Sequence, residues 1–233
     1  MRILVIIPAY NEEENIEALL YKLKLLRKPN VDVIVVNDFS KDNTSKICSQ
    51  AGVRVIDLPC NLGIGGAVQT GFKYAKLQDY DIAIQVDGDG QHNPNYISSL
   101  VEPLMSQEAD MVIGSRYIEK RGFQSTVLRR IGINYFSYLI KILIKQQITD
   151  PTSGFRACNK KVISLFADKY PIDYPEPESI VFLKRKNLII KEVPVIMKER
   201  TGGTSSIKSF RTAYYMIKVS LAIIIDMLRG QHT

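Results

Sequence analysis

A repeated alternation of short β-branched runs with amphipathic stretches constrains the fold of this chain more than any other feature. The run ILVIIP at residues 3–8 is followed by an amphipathic stretch that starts near Glu12, and then by VDVIVVND at residues 31–38. The runs have the composition of strands, and the stretch between them has the apolar spacing of a helix. This rhythm predicts an α/β fold with a mostly parallel central sheet flanked by helices. Asn11 and Glu14 fit a capping box at the start of the first helix.

The character of the chain changes after Arg116. Residues 128–147 and 207–228 are long apolar stretches with basic residues beside them, and we predict an amphipathic helix over each. Core packing, docking on a membrane surface and contact with a partner helix all remain open for them. We expect a catalytic unit over residues 1–206 and a C-terminal amphipathic helix over residues 207–233.

Composition narrows the classes of partner. The net charge of +7 suits anionic partners such as nucleotides, lipid phosphates or an acidic membrane face. The three cysteines lack CxxC spacing, which favours reduced thiols in a cytoplasmic protein over a disulfide framework or a metal cluster. No stretch reaches the roughly 20 apolar residues that span a bilayer, so we expect that the chain does not cross a membrane unaided.

Two carboxylates follow the apolar run IAIQV at residues 82–86. Asp87 and Asp89 lie one residue apart, and Gln91 and His92 come next. The run is typical of a buried strand, and ligands of open α/β sheets bind at the carboxyl ends of strands. Oxygen ligands from Asp87, Asp89 and Gln91 suit a hard divalent ion, Mg²⁺ or Mn²⁺, that bridges a diphosphate. A solvated acidic turn is the plainer interpretation of the same residues.

Two other nucleotide- or metal-binding motifs do not fit. A calcium loop of the EF-hand type would need Gly and Glu where this chain has His92 and Ser98. A Rossmann dinucleotide site would place its glycines after the first strand, whereas the glycine cluster of this chain lies at residues 61–71.

Six segments occur in the order seen in family 2 glycosyltransferases of the GT-A fold. They are PAYNEEENI, VIVVNDFSKDNTS, NLGIGGAVQTGFKYA, QVDGDGQHNP, VIGSRY and DPTSGFRA, and they cover nearly the whole chain. The last two, with ERTGGTSS further on, look most like the polyprenyl-phosphate branch, the dolichyl-phosphate mannose synthase type. Two positions depart from the pattern. Residues 37–40 read Asn-Asp-Phe-Ser where the family more often shows Asp-Asp-Gly-Ser, and Ser206 stands where the branch usually has Lys.

The resemblance implies roles for particular residues. Contacts to the nucleotide sugar fall to Pro8, Ala9, Tyr10, Glu12, Asp38, Gly63, Gly65, Asp87, Gly88, Asp89 and Arg200. Catalytic roles fall to Asp89, Asp150, Arg116, Arg156 and Arg200, and the acceptor phosphate would meet Arg116, Arg129, Arg130, Ser153 and Arg156. The metal ligands would be Asp87, Asp89 and Gln91. Close helix packing is the alternative for the glycines, and a surface salt bridge is the alternative for Arg116.

The resemblance implies a metal-dependent, inverting enzyme that moves a sugar from a UDP- or GDP-sugar to a polyprenyl phosphate. We expect it to be peripheral on the cytoplasmic face of the membrane, held by the membrane surface or by a small membrane protein through its C-terminal helix. Nucleic acid is not an expected partner, and a homo-oligomer is left open.

Two other functions remain open. One is transfer to a saccharide hydroxyl in cell-surface polysaccharide synthesis, with Glu176 or Glu178 as the base. These two glutamates also fit the acidic first turn of a helix. The other is a non-catalytic subunit that binds sugar nucleotides and docks a membrane partner.

Overall fold

The central sheet of the protein is mostly parallel, as predicted. The structure, a computed structural model, describes residues 1–26, 30–172, 175–199 and 209–228. Within these residues the strands are β1 (Ile3–Ala9), β2 (Val31–Asn37), β3 (Arg54–Asp57), β4 (Ile82–Gln85), β5 (Met111–Ser115), β6 (Arg156–Asn159) and β7 (Ile190–Pro194). The helices are α1 (Ile16–Leu25), α2 (Thr44–Gln50), α3 (Gly63–Leu77), α4 (Ile97–Met105), α5 (Val127–Ile144), α6 (Lys160–Asp168), α7 (Pro175–Arg185) and α8 (Ser209–Leu228).

The strand order is β3-β2-β1-β4-β6-β5-β7, and among the strands of the described residues β6 alone runs against its neighbours. The last residue of β4, Gln85, pairs with the first residue of β6, Arg156. The reversal therefore brings the segment before β6 to the edge of the sheet at which the parallel strands end.

The core lies on both faces of the sheet. Residues 4–7 of β1 are fully buried, and their side chains alternate between the two faces. Leu4 and Ile6 pack in a cluster with residues from α3, α5, α6, α7 and α8. Val5 and Ile7 pack in a second cluster with residues from α1, α2 and α4. Strands buried on both faces are typical of parallel sheets, which explains their unbroken apolar runs.

Helices α5 and α8 confirm two predicted elements, and each buries one face. Val219 and Ile223 of α8 are buried in the core, and the hydroxyl groups of Tyr135 and Ser220 lie 2.9 Å apart where the two helices meet. Helix α5 is shorter than predicted, because Lys145 adopts a left-handed φ of 55° and ends it. Core packing therefore accounts for one face of each helix.

The predicted capping box is wrong. Helix α1 begins at Ile16 rather than near Glu12, and Asn11 adopts a left-handed φ of 54°. The side chain of Asn11 instead accepts a hydrogen bond of 2.8 Å from the backbone N–H of Lys41. A tertiary contact to the loop after β2 has replaced the local one.

Candidate active site

The predicted metal residues lie in a loop directly after β4. Gln85 Nε2 donates to Asp87 Oδ1 at 3.0 Å, and the backbone N–H of Gln91 donates to Asp89 Oδ1 at 3.0 Å. These contacts give the Asp87 and Asp89 side chains defined orientations on the protein side. The loop is thus an ordered turn at the carboxyl edge of the sheet.

The side chain of His92 is hydrogen-bonded to the backbone of this loop. The backbone N–H of Asp87 donates to His92 Nδ1 at 3.0 Å, so that nitrogen carries no proton and the neutral ring carries it on Nε2. His92 Nε2 lies 3.7 Å from Asp87 Oδ2. The buried ring stacks on Phe155 at 4.8 Å between centroids, with an 11° angle between the planes. Sequence reasoning gave His92 no role, and its only local signal is that it follows the acidic motif.

Gly154 leaves the space in which the Asp87 carboxylate lies. A Cβ atom at residue 154 would lie 2.6 Å from Asp87 Oδ2 and 2.9 Å from Asp87 Oδ1. Any larger residue would therefore displace the carboxylate. The resemblance marked the segment that contains Gly154, but a contact to Asp87 was not foreseen.

Gln91 connects the acidic loop to a distant part of the chain. The side-chain N–H of Gln91 donates to the backbone carbonyl of Lys198 at 3.2 Å. The backbone carbonyl of Gln91 accepts from the backbone N–H of Lys198 at 3.0 Å. Lys198 precedes Arg200 by two residues. Arg200, which the resemblance assigns to the donor, lies outside the described residues.

The loops after β1 and β2 are joined into one wall beside the acidic loop. The backbone N–H of Asn11 donates to Ser40 Oγ at 3.0 Å, and that of Glu12 donates to Thr44 Oγ1 at 2.9 Å. The structure brings the predicted nucleoside residues together here: Pro8, Ala9 and Glu12 are buried, Tyr10 is exposed, and a Cβ at Gly88 would lie 3.1 Å from the carbonyl of Pro8.

The carboxylate of Asp38 is hydrogen-bonded to the backbone of the protein. Its two carboxylate oxygens accept hydrogen bonds of 2.7 and 2.9 Å from the backbone N–H groups of Leu62 and Gly63. Burial raises the pKa of Asp38, and these two N–H groups oppose that shift. The predicted contact from a base N–H to Asp38 would share a carboxylate that already holds the start of α3.

Close packing explains one of the predicted donor glycines. A Cβ at Gly65 would lie 2.1 Å from the carbonyl oxygen of Ile172 and 2.2 Å from that of Pro171. Gly63 adopts a φ of 76°, which favours glycine for a different reason. Close packing is therefore observed at Gly65, and its contact with the donor stays a prediction.

Arg116 and Asp150 bind each other. Arg116 Nε donates to Asp150 Oδ2 at 2.7 Å, and Arg116 Nη2 donates to Asp150 Oδ1 at 2.8 Å, in the bidentate geometry of a strong pair. Asp150 is fully buried. Glu192, which sequence reasoning missed, accepts from the backbone N–H groups of Thr149 and Asp150, and burial raises its pKa. Arg116 and Asp150 therefore form a largely buried ion pair, and their contacts with substrate stay a prediction.

The side chains of Arg156 and Ser153, which are predicted to meet the acceptor phosphate, form hydrogen bonds within the protein. The buried guanidinium of Arg156 donates to the carbonyls of Ser153, Pro151 and Glu176 and to Ser179 Oγ. Ser153 Oγ donates to the carbonyl of Gly114 at 2.7 Å. Both side chains thus link the start of β6 to neighbouring segments, and their contact with the acceptor phosphate stays a prediction.

The remaining predicted residues lie in the first turns of two helices. Glu176 lies in the first turn of α7, and burial raises its pKa to about 7, with Arg156 opposing and Asp87 adding to that shift. Arg129 and Arg130 lie in the first turn of α5. Burial raises the pKa of Tyr117, and the charges of Arg116 and Arg130 oppose that shift.

The acidic loop suits a hard divalent ion that is shared with a ligand. In the part of the chain that the structure describes, no group of three or more His, Cys, Asp or Glu side chains could hold a metal by itself. Two carboxylates and one amide leave most of an octahedral shell to water and phosphate, which is how Mg²⁺ is usually bound at nucleotide sites. The residues present fit such an ion.

Solved structures of glucosyl-3-phosphoglycerate synthase from Mycobacterium tuberculosis share this fold. The complex with Mn²⁺, uridine diphosphate and glucosyl-3-phosphoglycerate has a TM-score of 0.72 at 20% identity, over 97% of this chain and 79% of that one. The complex with phosphoglyceric acid has a TM-score of 0.74 at 21% identity, over 95% and 79%. The predicted GT-A fold is confirmed.

Sequence similarity to known proteins identifies the family of this chain. The profile described as "Glycosyl transferase family 2" matches residues 4–166, so the chain belongs to this family and is a glycosyltransferase. The UDP-N-acetylglucosamine–dolichyl-phosphate N-acetylglucosaminyltransferase of Methanococcus voltae is 30% identical, over 96% of this chain and 98% of that protein. The undecaprenyl-phosphate mannosyltransferase of Micrococcus luteus is 31% identical, over 88% and 87%. The predicted resemblance to the polyprenyl-phosphate branch is confirmed.

Proposed function

We propose that the protein is an inverting glycosyltransferase that moves a sugar from a nucleotide diphosphate sugar to the phosphate of a polyprenyl phosphate. The observation that carries this proposal is the acidic loop, in which Asp87 and Asp89 are oriented at the carboxyl edge by Gln85, His92 and the space over Gly154. The names of two relatives, a dolichyl-phosphate and an undecaprenyl-phosphate transferase, support the acceptor class.

Asp87, Asp89 and Gln91 would hold Mg²⁺ or Mn²⁺. When bound, the ion would neutralise the charge that grows on the departing nucleoside diphosphate. The protein contributes orientation, because Gln85 and His92 hold Asp87 in place while the Gln91 backbone holds Asp89. Preorganised charge of this kind avoids reorganisation during the reaction.

A phosphate acceptor needs no general base. A phosphate monoester has a second pKa of about 6, so it is largely dianionic at pH 7 and can attack the anomeric carbon directly. Direct in-line attack inverts that carbon and forms no covalent enzyme intermediate. Arg129 and Arg130 are basic groups that could meet the phosphate at the start of α5.

The apolar surface of α5 and α8 supports attachment to a membrane. We define the docking surface by the exposed side chains of Ile131, Tyr135, Tyr138, Ile142, Ile217, Leu221, Ile224 and Ile225. Large exposed apolar patches mark interaction sites, and exposed basic residues such as Arg130 and Lys141 suit anionic lipid. No helix of the described residues is long and apolar enough to cross a membrane. We propose that this docking surface binds the cytoplasmic face of the membrane.

Charged substitutions on the docking surface should release the protein from membranes. We expect Leu221→Glu with Ile225→Glu to reduce sedimentation with phosphatidylglycerol vesicles at least about tenfold, since each exposed residue loses the gain of apolar burial. Leu77→Glu, at a more exposed apolar position at the C-terminal end of α3, is the control and should have no effect. Equal sedimentation of the double variant would place attachment elsewhere. Point changes are preferable to deleting residues 207–233, which would remove Val219 and Ile223 from the core.

The properties of Glu176 support a second candidate function, which is transfer of the sugar to a saccharide hydroxyl. A base must be deprotonated to accept the hydroxyl proton, and a carboxyl with a pKa of about 7 is matched to that task at neutral pH. With Glu176 as base, the rate would fall as pH is lowered through about 7.

Transfer of radiolabelled sugar from UDP-N-acetylglucosamine or GDP-mannose into organic-extractable undecaprenyl phosphate tests the two candidates. For a phosphate acceptor we expect Glu176→Gln to keep transfer within about twofold and to leave the pH profile unchanged above pH ~6. Glu178→Gln, in the same turn, is the control. Loss of transfer in Glu176→Gln alone, with donor binding intact, would favour the hydroxyl acceptor. Donor binding without transfer to any acceptor would favour a non-catalytic subunit.

A further inference from the structure

We propose that Phe39 is the residue on which the nucleobase of the donor stacks. The inference rests on the proposed function, because it assumes a nucleotide donor, and it assigns a specific task to a residue that departs from the family pattern. It draws on the backbone, exposure and neighbours of Phe39.

The backbone of Phe39 is in a conformation that an aromatic residue rarely adopts. Its φ is 62°, in the left-handed region where a Cβ atom crowds the backbone. Among the described residues, the other non-glycine positions with positive φ are Asn, Asp, Gln, Lys or Ser, and Phe39 is the aromatic exception. The family more often has glycine here, which would take this φ without steric cost.

The side chain of Phe39 gains little from the protein core in return. The residue is 40% exposed and takes no part in either buried cluster. Its defined contact is with Lys41, whose Nζ lies 3.7 Å from the ring centroid and covers one face of the ring. Strained residues with no packing reward are found at ligand sites, where the surrounding structure holds them in place.

The neighbours of Phe39 hold it in this strained conformation. On one side, the Asp38 carboxylate is bound to the start of α3, and the Asp38 backbone N–H donates to the carbonyl of Ala9 at 2.9 Å. On the other side, Ser40 Oγ accepts from the backbone N–H of Asn11 at 3.0 Å. Phe39 therefore lies at the carboxyl edge in a loop whose neighbouring residues are hydrogen-bonded on both sides.

Other exposed apolar side chains come from the loops at this edge. Tyr10 follows β1, and Leu62 and Ile64 lie at the start of α3, which Asp38 joins to the Phe39 loop. Ligand pockets combine apolar and aromatic walls with a few polar groups. A flat heterocycle joined to a diphosphate matches this edge, because the acidic loop lies next to the end of β1, which separates it from the Phe39 loop.

Stacking on an aromatic ring affects the binding of a nucleobase but not of a diphosphate. Every nucleobase has a π-face, so an aromatic platform stabilises uracil and guanine alike, whereas hydrogen bonds choose between them. A diphosphate without a base gains nothing from the ring. Phe39 should therefore matter for the nucleoside part of the donor only.

The test is calorimetric titration of UDP, GDP and inorganic diphosphate in the presence of Mn²⁺. We expect Phe39→Gly to weaken binding of the preferred nucleotide about tenfold and to leave inorganic diphosphate unchanged. Phe39→Trp, which keeps an aromatic face, should retain most of the affinity. Gln107→Gly makes the same kind of change at an exposed residue with a φ of 58° in the turn before β5, and it should bind nucleotide normally.

Two results would overturn the inference about Phe39 while leaving the donor class intact. One is equal nucleotide affinity in Phe39→Gly and the natural chain, and the other is a parallel loss for nucleotide and inorganic diphosphate, which would indicate a role in loop structure. Failure of the natural chain to bind either nucleotide is distinct, since it would overturn the proposed donor and this inference with it. Thermal unfolding of each variant confirms that the fold is kept.

Discussion

Replacing Asp89 by asparagine is expected to lower sugar transfer at least about a hundredfold, while the free energy of unfolding changes little. Asparagine keeps an oxygen that can accept the Gln91 backbone N–H, which lies 3.0 Å from Asp89 Oδ1, but it removes the charge that would hold the divalent ion. Loss of such a Lewis acid is worth several kcal/mol, and about 2.7 kcal/mol corresponds to a hundredfold. Initial rates over a Mn²⁺ titration, with urea unfolding of the same samples, measure both quantities.

Two further variants make this test specific. Glu102→Gln removes an exposed carboxylate on α4 and should leave the rate unchanged. Gly154→Ala leaves both aspartates in place but puts a Cβ 2.6 Å from Asp87 Oδ2, so it should weaken Mn²⁺ binding by moving the carboxylate. Normal Mn²⁺ affinity in both Asp89→Asn and Gly154→Ala would show that this loop does not bind the metal.

Replacing Asp150 by asparagine is expected to destabilise the protein by about 3–5 kcal/mol. The change leaves the Arg116 guanidinium without its counter-charge beside a fully buried residue. A second substitution, Arg116→Gln, should recover part of the loss, because two neutral amides can bond where an unpaired charge cannot. Urea unfolding of the two single variants and the double variant gives the coupling energy between the residues.

The matched control is an ion pair of similar length on the surface. Lys76 and Asp168 lie 2.8 Å apart with both side chains exposed, and Asp168→Asn should cost less than about 1 kcal/mol. If Asp150→Asn is no more harmful than Asp168→Asn, the buried pair does not stabilise the fold. If the double variant is as unstable as the sum of the single ones, the two residues act independently.

The parts of the fold that could be predicted are those that local sequence patterns determine. Strands β1, β2 and β4 are mostly apolar, and the acidic loop directly follows β4 and Val86, so its place at the carboxyl edge could be inferred. The start of α1 could not, because Asn11 exchanged its local capping contact for one with Lys41, a residue 30 positions away. Short-range propensity gives way to tertiary contacts at such places.

The roles of the residues before β6 show the same limit. Arg156 resembles a phosphate ligand in sequence, yet the reversal of β6 buries it among carbonyl groups that include the one of Glu176. Gly154 and Asp87 are far apart in the chain, and their contact depends on that same reversal. No local pattern encodes an antiparallel strand inserted between parallel ones, so motif order identified the segment but not the partner of each side chain.

The contact of Asp38 with α3 has a consequence for charge balance at the site. The N-terminus of a helix carries a partial positive charge and unpaired N–H groups, and it commonly binds phosphate. Here a carboxylate of the chain already accepts the N–H groups of Leu62 and Gly63. These amides are therefore not free to serve as a counter-charge for a diphosphate. The negative charge of the proposed donor must be balanced by a cation and by basic side chains, whose attraction is screened by salt where they are exposed. Ionic strength should consequently weaken donor binding more than it would at a site built on helix amides.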